Sequence, residues 1–310
     1  MQKSICLLLI LGFSLFSCAP KLGINIQDDG VIFQEGKDTI LVYQTGNKSY
    51  NGTYERSNYI HPLFSLDKQV LTEDFPADHL HHRGIFWAWH QLYVGEKRIG
   101  DGWEIKDFKW EVDQVESIVG EGASKCIKAK VLWKSPLWLD DNGVEKPLVT
   151  ETTTLTVYPT QKNYRQIDFE IELVGMEPNM RIGGSEDPKG YGGFSPRIRL
   201  EAGMVFMGEN GKVTPQNLPV LAGPWMDVSG PLGMSGATAG LTIFSHQSNP
   251  GFPNPWILRS KGSMQNAVYP YPGAEGIELS NVKPTVLKYR LLVHQGLSLD
   301  QISNLYTSYK

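Results

Sequence analysis

From about residue 24 onward, apolar and polar side chains alternate with a period of two rather than 3.6. Ile127, Ala129 and Val131 alternate with lysines, and Ile167, Phe169, Ile171 and Leu173 alternate with Asp168, Glu170 and Glu172. Leu287, Tyr289, Leu291 and Val293 repeat the pattern near the end of the chain. Successive side chains of an extended chain point to opposite faces, so each run reads as a strand with one face in a core and the other in water. The β-branched run from Thr150 to Val157 belongs to the same class, and Thr39 to Gln44, Pro196 to Glu201 and Gly240 to Ser245 are further predicted strands. Turn signals separate them, as in Asp-Asp-Asn-Gly at 140–143 and Gly-Glu-Asn-Gly at 208–211. One helix is predicted: Ser298 and Gln301 have capping-box spacing, and Leu299, Ile302 and Leu305 share a face through to Tyr309. The pattern predicts an all-β fold, a large antiparallel β-sandwich with a short C-terminal helix over a sheet edge or end. No repeat, low-complexity tract or linker divides the chain, so residues 19–310 are expected to form a single β-sandwich domain.

The first eighteen residues depart from this pattern. Lys3 precedes the apolar run Ile5 to Phe16, which closes on Leu15-Phe16-Ser17-Cys18. The run is roughly a dozen residues, short of the ~20 that cross a bilayer, so it reads as an export signal over residues 1–18. It resembles a bacterial lipoprotein signal, which implies cleavage before Cys18 and lipid on that thiol; an ordinary secretory signal is the alternative. Either way the mature protein is expected outside the cytoplasm. The lipoprotein reading makes it anchored, facing the periplasm or cell surface, and touching the membrane only through Cys18. Cys6 leaves with the signal and Cys126 remains alone, so no internal disulfide is expected. A formal charge of −4, with no basic stripe, argues against a nucleic-acid partner.

Chemistry concentrates between Asp74 and Gly84, where three of the seven histidines stand with two aspartates and an arginine. Pro76 and the surrounding Asp-Phe-Pro-Ala argue for loop or strand edge rather than helix. On an extended chain His79 and His81 point to one side and His82 to the other. His61 and His90 raise the number of histidines between residues 61 and 90 to five. Imidazoles paired with a carboxylate or with each other donate and accept protons near neutral pH. The candidate catalytic set is therefore His79, His81, His82, Asp78 and Arg83, with Arg83 holding an anionic group or developing oxyanion. Candidate ligand-binding residues are His61, Glu186, Asp187, Arg197, Trp225, His246 and Trp256. Trp87, Trp89, Trp103, Trp225 and Trp256 are candidates to stack on the apolar face of a ligand; Trp225 and Trp256 follow proline-containing loops and could wall a pocket, while Trp87 and Trp89 read rather as a buried strand after the loop. Arg197, Arg199 and Glu201 alternate with Ile198 and Leu200, which suits a solvated face or, on the other reading, a ligand clamp. His294 reads as structural. The cluster with Asp78 also has the ligand types for Zn, Cu or Fe, but a third element such as His246 or His61 would have to complete the shell. The cofactor stays open at this point: acid/base chemistry requires none, and a divalent metal is the alternative.

The segments SNYIHPLFS at 57–65, VLTEDFPADHLHHRGIFWAW at 70–89, GYGGFSPRIRL at 190–200, GPWMDVSG at 223–230 and LKYRLLVHQG at 287–296 resemble the bacterial PmoA-like family of exported proteins. The methane-oxygenase association of that label would need membrane-spanning helices, and no apolar run of ~20 residues follows the signal. More loosely, the length, the all-β pattern and the terminal YRLLVHQG strand are similar to the galactose-mutarotase-like supersandwich. That resemblance implies a fold used by sugar epimerases and carbohydrate-active enzymes. The expected function is an exported lipoprotein that binds a carbohydrate or related small molecule and processes it by epimerase-, hydrolase- or lyase-type acid/base chemistry. The alternatives are a non-catalytic glycan-binding lipoprotein and a metal-dependent oxidative enzyme.

Overall fold

The structure is a computed structural model that describes residues 20–310. The export signal and Cys18 lie outside the described residues. Two antiparallel sheets carry most of the chain. The first has eight strands in the order Leu22–Gln27, Gly30–Glu35, Asp38–Gln44, Tyr59–Leu63, Ile85–Trp89, Gly192–Pro196, Asn266–Val268, Trp256–Ile257. The second has nine, in the order Lys109–Ile118, Lys125–Leu139, Glu145–Val157, Tyr164–Gly175, Thr285–His294, Ala239–Ser245, Trp225–Gly230, Val205–Gly208, Gly211–Lys212. A four-stranded sheet includes Met180–Gly183, Gln91–Val94 and Lys97–Gly100, and a small hairpin pairs Lys48–Tyr50 with Thr53–Arg56. The all-β sandwich with one short C-terminal helix is the architecture that the alternation predicts.

The period of two sets the register. In Tyr164–Gly175 every second residue is buried, and its apolar positions meet those of Thr285–His294 as Ile167 opposite Leu291, Phe169 opposite Tyr289 and Ile171 opposite Leu287. A one-residue slip would turn all of them to solvent. The opposite face pairs charges, with Arg290 donating to both Asp168 oxygens and Lys288 Nζ 2.7 Å from Glu170. The inner faces of the two sheets meet through aromatic rings: Phe194 stacks on Tyr289 at 4.5 Å between centroids and Trp89 lies 5.5 Å from Trp133. Between them sits a buried carboxylate. Glu151 accepts from Asn58, Trp87 and Thr153 on one oxygen and from Trp133 on the other, which satisfies a group that burial would otherwise make costly. Burial still raises its pKa.

Two predicted elements differ from the structure. The strand expected from Pro196 to Glu201 ends at Pro196, having begun at Gly192, and the chain then keeps only an isolated bridge from Ile198 to Thr72. The helix Leu299–Thr307 has its capping box, but it lies over the outer face of the nine-stranded sheet rather than an edge or end. Ile302 and Tyr306 pack on Trp225, Phe244 and Leu292, which come from three neighbouring strands. This explains why Ala239–Ser245 is buried on both faces. Among the described residues no helix is long and apolar enough to cross a membrane.

Candidate functional site: a histidine-lined cavity

The loop between the strands Tyr59–Leu63 and Ile85–Trp89 is wound rather than extended. His79 N–H donates to the Pro76 carbonyl and His82 N–H to the His79 carbonyl, two successive turns. The alternation expected of an extended segment is therefore absent, and all three imidazoles meet. His79 and His82 stack at 4.6 Å with 5° between planes, and His81 stands edge-on to His82 at 4.5 Å. The loop leaves through Gly84 at φ 38°, where a Cβ would stand 1.9 Å from the Ile60 carbonyl oxygen. Only glycine fits there.

Arg197 holds the cluster from beneath. Its side chain is 1% exposed, and it donates to Glu73 at 2.7 Å and to Asp78 at 2.7 Å, with Nη1 3.2 Å from His82 Nδ1. A guanidinium has only donors, so His82 Nδ1 is an acceptor and the ring proton sits on Nε2. The ring is neutral: burial, then His81, His79 and the guanidiniums of Arg197 and Arg56 hold its pKa far below the usual histidine range. Burial, reinforced by His79 and His90, lowers His81 to about 4. Asp78 loses hydration on burial, but bonds from His79 and Arg197 outweigh that and keep its carboxyl below the ordinary range. Arg197 was expected on a solvated face or in a ligand clamp; it is a buried anchor for the histidine loop.

Arg83 is not at the site. Its buried guanidinium bonds Asp74, the Tyr59 hydroxyl and the backbone carbonyls of Lys48 and Tyr54, and it lies 3.6 Å from the Phe75 ring centroid. Four of its five N–H groups bond protein and none of the side chain reaches solvent, so the oxyanion role expected of it is corrected to a structural one.

The histidines form one wall of a cavity of about 300 Å³. His90, Trp103 and Tyr191 continue the wall, and Glu104, Asp187 and Lys189 supply charge. His90 places Nδ1 3.0 Å from Asp101 and stacks on Trp103 at 5.4 Å; Trp103 in turn lies 5.5 Å from Tyr191. Asp101 also accepts from the backbone N–H groups of Trp103 and Glu104, which fixes the turn carrying both. Glu104 Oε2 is 3.5 Å from His81 Nδ1, and burial raises the Glu104 pKa. Asp187, lowered to about 2, organises its glycine-rich loop: burial opposes the shift, and bonds from Lys189, Ser185 and the Lys189 and Gly190 amides outweigh it.

The remaining predicted residues lie elsewhere. Glu186 is exposed and receives Arg98 at 3.2 Å. His61, on the strand Tyr59–Leu63, has Nδ1 3.0 Å from the Thr72 hydroxyl in the loop that follows, with a pKa lowered by burial. Trp225 is buried under the C-terminal helix, and Trp256 is in the main core with its indole N–H on the Gly223 carbonyl. His246 bonds Ser248 and stands edge-on to Tyr309. The metal shell expected to need His246 or His61 does not assemble: among the described residues no group of three His, Cys, Asp or Glu is arranged to hold an ion. Trp103, one of the tryptophans expected to stack on a ligand, and His90, one of the five clustered histidines, are in the site; Glu104, Lys189 and Tyr191 enter it without having been predicted there. The Asp-Gly-Trp-Glu turn at 101–104 and the glycine-rich segment around Tyr191 are the sequence signals by which Glu104, Lys189 and Tyr191 could have been found.

Fold and site together define a β-sandwich protein with a polar, aromatic-walled cavity built on histidines. The chain belongs to a family of unknown function, DUF6807, whose profile matches residues 31–307. No curated protein matches it.

Proposed function

We propose that the cavity binds a carbohydrate or related polyol and acts on it by acid/base chemistry of the epimerase, hydrolase or lyase type. The observation that carries this reading is the meeting of four imidazoles and Glu104 with the rings of Trp103 and Tyr191 in one small cavity. Sugar rings offer an apolar face to aromatic side chains and hydroxyl groups to polar ones at the edge. A carboxylate against one ring nitrogen orients an imidazole and leaves the other nitrogen for proton transfer; Asp78 serves His79 and Asp101 serves His90 in this way. His81, neutral at pH 7, is an acceptor, and the raised pKa of Glu104 suits a proton donor. Similarity to the galactose-mutarotase-like supersandwich favours the same reading by analogy of fold alone. Export and lipid attachment at Cys18 belong to the proposal.

The test is calorimetric melting of the purified protein with a panel of monosaccharides and polyols, alongside His79→Ala and Glu104→Gln. A ligand at a hundredfold excess over its Kd is expected to add about 2.7 kcal/mol, and both variants are expected to weaken it. No shift with any sugar, or equal shifts in both variants, overturns the reading. Saturable binding with the ligand unchanged after long incubation would keep the binding function and remove the catalysis.

A further inference from the structure

A second and larger cavity, of about 850 Å³, adjoins the histidine pocket. Glu104 lines both. Tyr54, on the wall of the larger one, has its ring 6.3 Å from that of His81 on the wall of the smaller. A cavity of about 300 Å³ is at the lower limit of small-molecule sites, enough for one unit of a chain, and the larger groove starts where that unit would end.

The groove is built at a conformational cost. Tyr54, Ile105 and Asp107 line it, and each has a left-handed backbone, with φ of 54°, 56° and 52°. Such conformations persist where surrounding contacts over-determine them, and they cluster at ligand clamps. Here Arg83 donates to the Tyr54 carbonyl at 3.0 Å, and Asp101 and Lys106 exchange backbone hydrogen bonds across the other segment. The buried arginine next to the histidines thus holds Tyr54 in place. Four carboxylates, from Glu55, Glu104, Asp107 and Glu145, face two lysines, and one of those, Lys109, is paired with Glu145 at 2.6 Å. The excess of negative charge disfavours a polyanion.

We propose that the groove continues the binding site and takes the second and later units of a neutral oligosaccharide whose terminal unit occupies the histidine pocket, with the first linkage passing Glu104. The proposal rests on the carbohydrate reading of the pocket. It is tested by titration calorimetry of the full chain with gluco-, xylo- and manno-oligosaccharides from monosaccharide to hexasaccharide, and with an oligouronate of matched length. Affinity is expected to rise about tenfold or more between the monosaccharide and the trisaccharide in the series that binds. Tyr54→Ala is expected to abolish that gain and leave monosaccharide affinity unchanged, while Tyr54→Phe retains it. Monosaccharide binding with no gain along the series overturns the groove and leaves the pocket reading standing; the native chain alone decides this, whatever the variant's folding. An oligouronate that binds as tightly as the neutral chain overturns the proposal through its charge argument. No binding by any member overturns the pocket reading and this one with it.

Discussion

His81 and His82 show how position in the fold, rather than residue type, decides what a side chain does. Both are histidines with an ordinary pKa near 6.5, yet burial beside other cations lowers His81 to about 4 and His82 further. Above pH 6.5 folded and unfolded chains are both neutral at His81, and it adds no pH dependence. As pH falls from 6.5 towards 4 only the unfolded chain takes up the proton, so folding stability falls; below about 4 the His81 loss levels off while that of His82 continues. Glu104, raised by burial, acts in the opposite sense because its folded form binds a proton more readily. Urea titrations at pH 7, 5.5 and 4.5 are expected to show a loss of stability, up to about 1.4 kcal/mol per pH unit for each histidine, that is smaller in His81→Gln. An unchanged midpoint across that range in the native protein would contradict the buried neutral pair. The two arginines carry the same lesson. Arg83 is adjacent to the histidines in sequence and is spent on Asp74 and backbone carbonyls, whereas Arg197, separated from His82 by 115 positions, touches the ring. Sequence distance said nothing of this, because the strand Gly192–Pro196 pairs with Ile85–Trp89 and delivers Arg197 beneath the loop.

At the scale of elements, legibility followed periodicity. Strands with one wet face were readable because alternation is a local consequence of the pleat, as in Tyr164–Gly175. Strands buried on both faces, such as Ala239–Ser245, have no alternation, and their apolar runs do not say what covers the second face. The helix was readable from its cap, but not where it would dock. Trp225 was read as a pocket wall because it follows a proline loop; it is part of the apolar patch on which the helix sits. Ser298→Ala removes the hydroxyl that accepts from Gln301 N–H and is expected to cost about 1 kcal/mol, seen as a lower urea midpoint with the slope unchanged. A neutral effect would mean that packing on Phe244 and Leu292 alone holds the helix. The histidine loop was located correctly but unwound in expectation, since two turns closed by backbone hydrogen bonds leave no periodic signature.

One hydrophobic cluster runs from Leu22 to Val293 and takes in residues of both large sheets, with Glu151 and its ring of donors at the centre. Rings from the two sheets touch directly, so neither inner face can be exposed without exposing the other. Unfolding in urea is accordingly expected as one transition, with tryptophan fluorescence and far-ultraviolet circular dichroism coincident. Separate midpoints would divide the molecule into independently stable parts. The sequence by itself determined the all-β class, the strand faces, the helix with its cap and the loop on which the histidines stand, because each is written in spacing along one segment. Only the tertiary structure decided that Arg197 rather than Arg83 serves the histidines, that His90, Trp103, Glu104 and Tyr191 complete the cavity, and that His61, His246, Trp225 and Trp256 lie outside it. Those pairings join segments far apart in the chain, and their geometry follows from which strands are neighbours and how the loops between them close.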